Sequence, residues 1–288
     1  MPGHIPARLA AGLLLSAAIG LLALRRGSLS RSGVLGAILT GTLLFGLGGF
    51  SAGFTLIVFF VSSSLLSKFT EARRRTLSEK YAKGSRRDFW QAMANAGVAS
   101  AFAVGAALTS WAGRGDLAGL LVCGMVGALA TSNGDTWATE IGAFSRVPPR
   151  SILPPFARVE PGTSGGITAL GTGAALAGAM LIGITFALLR AVGIDPEPWR
   201  EAGSAFTVIA AAEVGGLAGA MFDSLLGATV QGLYRDEARG RITEKARDAT
   251  GKPNPLARGL PWMTNDLVNF LASFIGALVA VLIRLAAP

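Results

Sequence analysis

Eight mostly apolar stretches, each long enough or nearly long enough to cross a bilayer as a helix, are separated by loops that alternate between strongly basic and nearly neutral. This pattern limits the possible folds more than any single motif does. A hydrocarbon core about 30 Å thick takes about 20 apolar helical residues per crossing, and lipid tolerates only backbone whose polar groups are bonded internally. The stretches lie at about 8–24, 33–48, 51–67, 92–112, 117–135, 166–190, 204–230 and 265–285. The second and third are short and glycine-rich ("GTLLFGLGGFSAGF"), so tilted short helices and a re-entrant hairpin are both open to them. With 51% hydrophobic and 15% charged residues, a chain of 288 residues has too little polar surface for a water-soluble globule. The expectation is an all-α polytopic transmembrane bundle of about eight segments, with six to eight allowed, forming one integral membrane domain over 1–288.

The first stretch follows Arg8, as in a signal peptide, but Arg25 and Arg26 come after it without a small-residue cleavage site, so it reads as a membrane helix. Lys and Arg collect after the first, third, fifth and seventh stretches, in Arg25, Arg26 and Arg31, "SKFTEARRRTLSEKYAKGSRRDFW", "SRVPPRSILPPFAR" and "YRDEARGRITEKARDATGKPNPLARG". The loops around Gly113–Asp116 and Asp195–Glu201 carry no such excess. Positive loops stay on the cytoplasmic side. Eight crossings with both termini outside therefore satisfy every loop, and a bacterial inner membrane is the expected location. The net charge of +9 is spread through these loops without a nucleic-acid module, so the expected partners are membrane lipids and phosphate groups, not nucleic acid.

Cys123 is the single cysteine and His4 the single histidine, which excludes a disulfide framework, Cys or His zinc sites and a Ser-His-Asp triad within one chain. Any chemistry has to run on carboxylates, amides, hydroxyls and basic groups. Charged residues within spanning helices are costly, so they usually face a partner, a cavity or a site. Four clusters stand out. "RRDFWQAMANAG" sets Arg87, Gln91 and Asn95 at spacings of four, on one helical face. "TSNGDTWATEIG" carries Ser132, Asp135 and Thr139 on one face, with Glu140 five residues from Asp135; either Asn133–Gly134 breaks the helix or the two acids serve different partners. "EVGGLAGAMFDSLLGATVQG" aligns Gly216, Gly219, Asp223, Gly227 and Gln231. "WMTNDLVNFLASFIG" presents Asn265, Asp266 and Asn269, of which the first two can also serve as a helix N-terminal cap.

Each of these polar groups has a plain structural alternative, since buried amides join helices and glycines make packing seams. Laid on the topology, however, all four clusters fall at the cytoplasmic helix ends. Only Glu213 is an acid nearer mid-depth. One polar site at the cytoplasmic boundary follows. "VEPGTSGGITALGTG" belongs to the same face, and its Gly162, Thr163, Ser164, Gly165 and Gly166 precede a helix start, where backbone N–H groups can meet a phosphate. No GxxxxGK[ST] loop occurs. "GALATSNGDT" and "GGLAGAMFDS" also echo each other around Asp135 and Asp223, each followed by a hydroxyl residue, Thr136 and Ser224.

"RRDFWQAMANAG", "NGDTWATEIG", "GTSGGIT", "FDSLLGATVQG" and "WMTNDLVN" resemble, in order, the motif blocks of a widespread integral membrane family once known only as a domain of unknown function. It includes the plant plastid phytyl-phosphate kinase of tocopherol synthesis and an uncharacterised animal transmembrane protein. The resemblance runs from about residue 30 to the C-terminus. It implies a polytopic helical fold and, from the plant members, conversion of an isoprenoid monophosphate to the diphosphate at the expense of a nucleoside triphosphate. On that reading Asp135, Asp223 and Asp266 hold Mg2+, with Glu140 ligating or orienting. Asn95, Gln91, Gln231, Asn265, Asn269 and Ser224 supply polar contacts, the 162–166 turn supplies backbone donors, and Arg87 offsets phosphate charge. An ion-coupled transporter or lipid flippase using the same carboxylates is the alternative, and a purely structural membrane protein is a third.

Overall fold

The computed structural model describes residues 5–74, 86–193, 195, 202–237, 240–248 and 250–287. His4, the middle of the basic loop at 75–85, and 194, 196–201, 238–239 and 249 in other loops lie outside the described residues.

Eight helices follow one another as α1 (Ile5–Arg25), α2 (Arg31–Gly46), α3 (Gly49–Arg74), α4 (Phe89–Trp111), α5 (Gly115–Gly142), α6 (Ala169–Ala191), α7 (Ala205–Thr229) and α8 (Asn265–Ala286). Among the described residues, seven are long and apolar enough to cross a membrane; the exception is α2, with 16 residues. The third stretch is thus a full-length helix and only the second is short. Hydroxyl and carboxylate caps punctuate the chain where the sequence offers them. Ser30, Thr168, Ser204 and Thr264 each accept a backbone N–H in the first turn of α2, α6, α7 and α8. Asp88 and Gln91 form a reciprocal capping box on α4. Such a cap is worth about 1 kcal/mol.

The centre of the bundle is α5, which packs on α3, α4, α6, α7 and α8. Its residues are apolar or small all round, as a helix enclosed by others requires, and an unbroken buried run extends from Val122 to Gly134. Small residues let the neighbours close in: a Cβ on Gly134 would stand 2.9 Å from the Ala175 carbonyl of α6, and one on Gly127 would stand 2.8 Å from the Gly276 carbonyl of α8. Polar side chains then join the helices. Asn133 Nδ2 donates to the Gly178 carbonyl at 2.7 Å, and Ser62 and Ser63 donate to Asn133 Oδ1 at 3.2 and 3.1 Å. Ser132 donates to the Asn95 carbonyl at 2.8 Å. Asn133–Gly134 therefore does not break the helix: the side chain that would cap a break is spent on α3 and α6, and α5 runs on to Gly142.

The loops meet in two groups, as alternating crossings demand. At one end Leu29 bridges Arg87, joining the α1–α2 and α3–α4 connections. The α5–α6 and α7–α8 connections share that end, where the Gly165 turn lies on Ala228 at the end of α7. At the other end Asp195, between α6 and α7, accepts the Ser51 N–H near the start of α3 at 3.1 Å. Two small sheets were not foreseen in the all-α expectation. β1 (Arg150–Ser151) pairs β2 (Gly166–Ile167), and β3 (Leu233–Asp236) lies between β4 (Arg241–Thr243) and β5 (Leu256–Arg258), all antiparallel. The sixth stretch accordingly starts at Ala169, because 166–167 is strand.

Candidate functional site

At the end of the bundle where the basic loops gather, a cavity of about 780 Å³ opens between α5, α6, α7 and α8, walled by the loops after α5 and α7. That volume suits a nucleotide- or diphosphate-sized ligand. Asp135 of α5 and Asp223 of α7 line it, with Asp266 and Asn265 from the first turn of α8, Asn269 one turn deeper, and Ser224. Gly162, Thr163, Ser164, Gly165 and Gly166 form one rim, and Arg87 and Gln91 reach it from the start of α4. Fourteen of the sixteen residues singled out from the sequence are brought to one cavity.

The other two stand behind the wall. Gln231 lies past the end of α7, buried; its Nε2 donates to Glu244 Oε1 at 3.0 Å, and its Oε1 accepts from Ser164 Oγ at 2.5 Å. It pins the glycine turn to the α7–α8 loop and does not face the cavity. Asn95 lines a second, apolar cavity between α1 and α4, and its carbonyl is bonded to Ser132. The cause is the extra turn of α4 between Gln91 and Asn95, which carries Asn95 below the floor of the polar cavity. Glu213 does not line the cavity either.

The two acids of α5 serve different partners, as their five-residue spacing in an unbroken helix requires. Glu140 is 2% exposed; it accepts from Ser67 Oγ at 2.7 Å and from the Thr70 hydroxyl, and its charge acts on Arg87. The Arg87 guanidinium lies 5.6 and 5.7 Å from the ring centres of Phe59 and Phe60. Burial lowers its pKa to about 10, against the pull of Glu140, so it remains a cation near neutral pH. Asp135 lines the cavity with Asp223 and Glu244 instead, and the three carboxylates act on one another electrostatically. Among the described residues Asp135 has no hydrogen-bond or ion-pair partner. With the Asn269 amide turned so that its nitrogen faces the acceptors around it, that nitrogen donates to Asp223 Oδ2 at 2.8 Å and to the Asn265 carbonyl at 3.2 Å.

Glu244 is the residue that sequence reasoning missed. It follows β4 in a stretch read only as a basic loop, and the cue available was its flanking "RITEK" strand pattern. Asp266 and Asn265 turn out not to be the α8 cap, since Thr264 takes that position. Gly162 and Gly165 adopt φ of 77° and 82°, and a Cβ on Gly165 would collide with Ala228, so the turn needs glycine there both for conformation and for its seat on α7.

Among the described residues no three His, Cys, Asp or Glu side chains gather as a closed metal cluster. Magnesium does not require one: it commonly takes one or two protein carboxylates and completes its shell with phosphate oxygens and water. Asp135 without a cation partner, facing Asp223 across an open cavity, fits that kind of donor set.

The integral membrane protein DUF92 family model matches residues 14–277. The chain is 32% identical to Protein PGR of Arabidopsis thaliana over 293 positions, covering 96% of this chain and 97% of that protein. It is 26% identical to Uncharacterized membrane protein MJ0933 of Methanocaldococcus jannaschii over 277 positions, covering 96% and 94%. No solved structure matches. A family match over residues 14–277, with a relative of this identity aligned nearly end to end, makes the chain a member of the DUF92 family of integral membrane proteins.

Proposed function

We propose that this protein is an isoprenoid-lipid monophosphate kinase, which transfers a phosphoryl group from a nucleoside triphosphate to a phytyl or prenyl monophosphate at the cytoplasmic membrane boundary. The observation that carries the reading is the meeting of Asp135 and Asp223 with the glycine turn of 162–166 in one large cavity at the basic end of the bundle. These residues fall within the motif blocks that resemble those of the family to which the plant phytyl-phosphate kinase belongs. The basic loops support a cytoplasmic position for this end under the positive-inside rule, where nucleotide is available.

Phosphoryl transfer depends mostly on positioning and charge neutralisation. The acceptor oxygen of a phosphate monoester is already anionic near neutral pH, so the step needs no strong base. A new bond forms between that oxygen and the γ-phosphorus while the bond from γ-phosphorus to the β–γ bridging oxygen breaks, releasing nucleoside diphosphate. Asp135 and Asp223 would hold a magnesium ion, which would supply charge neutralisation of the bridging phosphates. Asn269 orients Asp223 through its 2.8 Å hydrogen bond. The N–H groups of Thr163 and Gly166 are bonded to the Glu160 and Thr163 carbonyls, so the remaining backbone donors of the 162–166 turn are the ones open to phosphate, and Arg87 supplies positive charge in the cavity lining. Glu140 acts indirectly, by holding Arg87.

The test is to offer purified protein phytyl, geranylgeranyl and farnesyl monophosphate with magnesium and several nucleoside triphosphates. Diphosphate product is expected from at least one acceptor. A transporter or flippase would instead move substrate across proteoliposomes without nucleotide.

A further inference from the structure

Two cavities of opposite character share one side chain. Arg87 lines the polar cavity and also the second one, of about 70 Å³, enclosed by α1, α2, α3 and α4. The walls of the second are almost wholly apolar: Ile19, Ala37, Leu56, Ile57 and Phe60 are among them. Phe59 and Phe60, against which the Arg87 guanidinium lies, are wall residues of this notch. A cation therefore stands where a polar chamber adjoins an apolar slot, and Glu140, bonded to Ser67 and Thr70, lines the polar side with it.

We infer that the notch between α1 and α4 receives the first carbons of the hydrocarbon chain of an amphiphilic phosphate monoester, whose phosphate lies on the Arg87 side of the polar cavity. The inference rests on the kinase reading for the identity of the ligand, and it adds a place and an orientation. The shared Arg87 selects this occupant: a ligand using both cavities needs an anionic head and an apolar chain joined within the span of one side chain. The notch is small beside the polar cavity, about 70 against 780 Å³, so it reads the head-proximal part of the chain and leaves the remainder to the surrounding helices or lipid.

The experiment is photolabelling of the purified full chain by a farnesyl monophosphate bearing a diazirine in its first isoprene unit, with labelled residues mapped by mass spectrometry. Labelling is expected on α1–α4 wall residues, to fall at least about tenfold under excess unlabelled farnesyl monophosphate, and to resist excess farnesol. In Ala37→Phe, and independently in Ile57→Trp, wall labelling should drop at least about fivefold while the thermal midpoint is kept. Labels confined to α6–α8, labels spread over lipid-facing residues, or labels displaced equally by farnesol would overturn the inference. The readout needs no nucleotide, so absence of phosphoryl transfer with the label in place would sink the kinase reading and leave the binding site standing.

Discussion

Gln231 Nε2 donates to Glu244 Oε1 at 3.0 Å, and through this bond a loop that looks merely basic in the sequence delivers a carboxylate to the Asp135–Asp223 chamber. Because Gln231 also accepts from Ser164, one buried amide sets the distance between two walls. Gln231→Leu keeps the size and removes both bonds. Phosphoryl transfer should fall at least about tenfold, with loss of a buried polar pair costing about 1–3 kcal/mol. Kinetics beside thermal unfolding checks this; unchanged turnover would show that the loop is placed by other contacts.

Glu140 belongs to the frame that holds Arg87. Glu140→Ala strips the Ser67 and Thr70 hydroxyls of their acceptor and leaves the enclosed guanidinium without its neighbouring negative charge. Removing the buried acceptor of two hydroxyls costs about 1–3 kcal/mol. Glu140→Gln keeps an acceptor and should lose less, which thermal unfolding in detergent resolves.

Close helix crossings predict a contrast between two glycines. A methyl on Gly276 would collide with the Thr131 hydroxyl where α5, α7 and α8 converge, whereas one on Gly173 meets nothing within 4 Å. Gly276→Ala should destabilise by about 1–3 kcal/mol, and Gly173→Ala should be neutral or stabilise by up to about 1 kcal/mol. Equal thermal midpoints for the two variants would contradict the packing described for this seam.

At the opposite end, burial raises the Asp195 pKa, although the Ser51 hydrogen bonds and Arg8 pull it down. A carboxyl with a raised folded pKa favours the protonated state, so its contribution to stability is greatest below the ordinary value of about 3.9 and is lost as pH rises through the folded value. Asp195→Asn keeps an acceptor for Ser51 and removes the ionisation. The stability gap between Asp195→Asn and wild type should therefore widen in favour of the variant as pH rises from about 4 toward neutrality, as measured by thermal unfolding across that range.

The helices and the shared polar face were legible because lipid imposes long apolar runs and makes each embedded acid conspicuous. Asp135 and Asp223 could be placed together from helical phase and loop charge alone. Glu244 could not: in a polar loop a glutamate costs nothing, and the short "RITEK" pattern beside it hints at a strand without saying that β3 and β4 bring the acid to the cavity. The short strands were hidden for a similar reason, since pairs such as Arg150–Ser151 with Gly166–Ile167 are too brief to show an alternating pattern. Asn95 misled because helical phase alone does not give depth: it shares a face with Gln91 yet lies a turn further into the apolar bundle.

The central claim is that Asp135 and Asp223 form the working centre of a magnesium-dependent phosphotransferase. It is tested most directly by following diphosphate formation from geranylgeranyl and phytyl monophosphate by wild type, Asp135→Asn and Asp223→Asn at equal folded concentration. Wild type should form product only with magnesium and nucleotide, and each variant should lose at least about a hundredfold in rate, the scale of removing a preorganised electrostatic group, with its thermal midpoint retained. Undiminished rates in both folded variants, or no product from the folded wild type with any acceptor and nucleotide, would contradict the account.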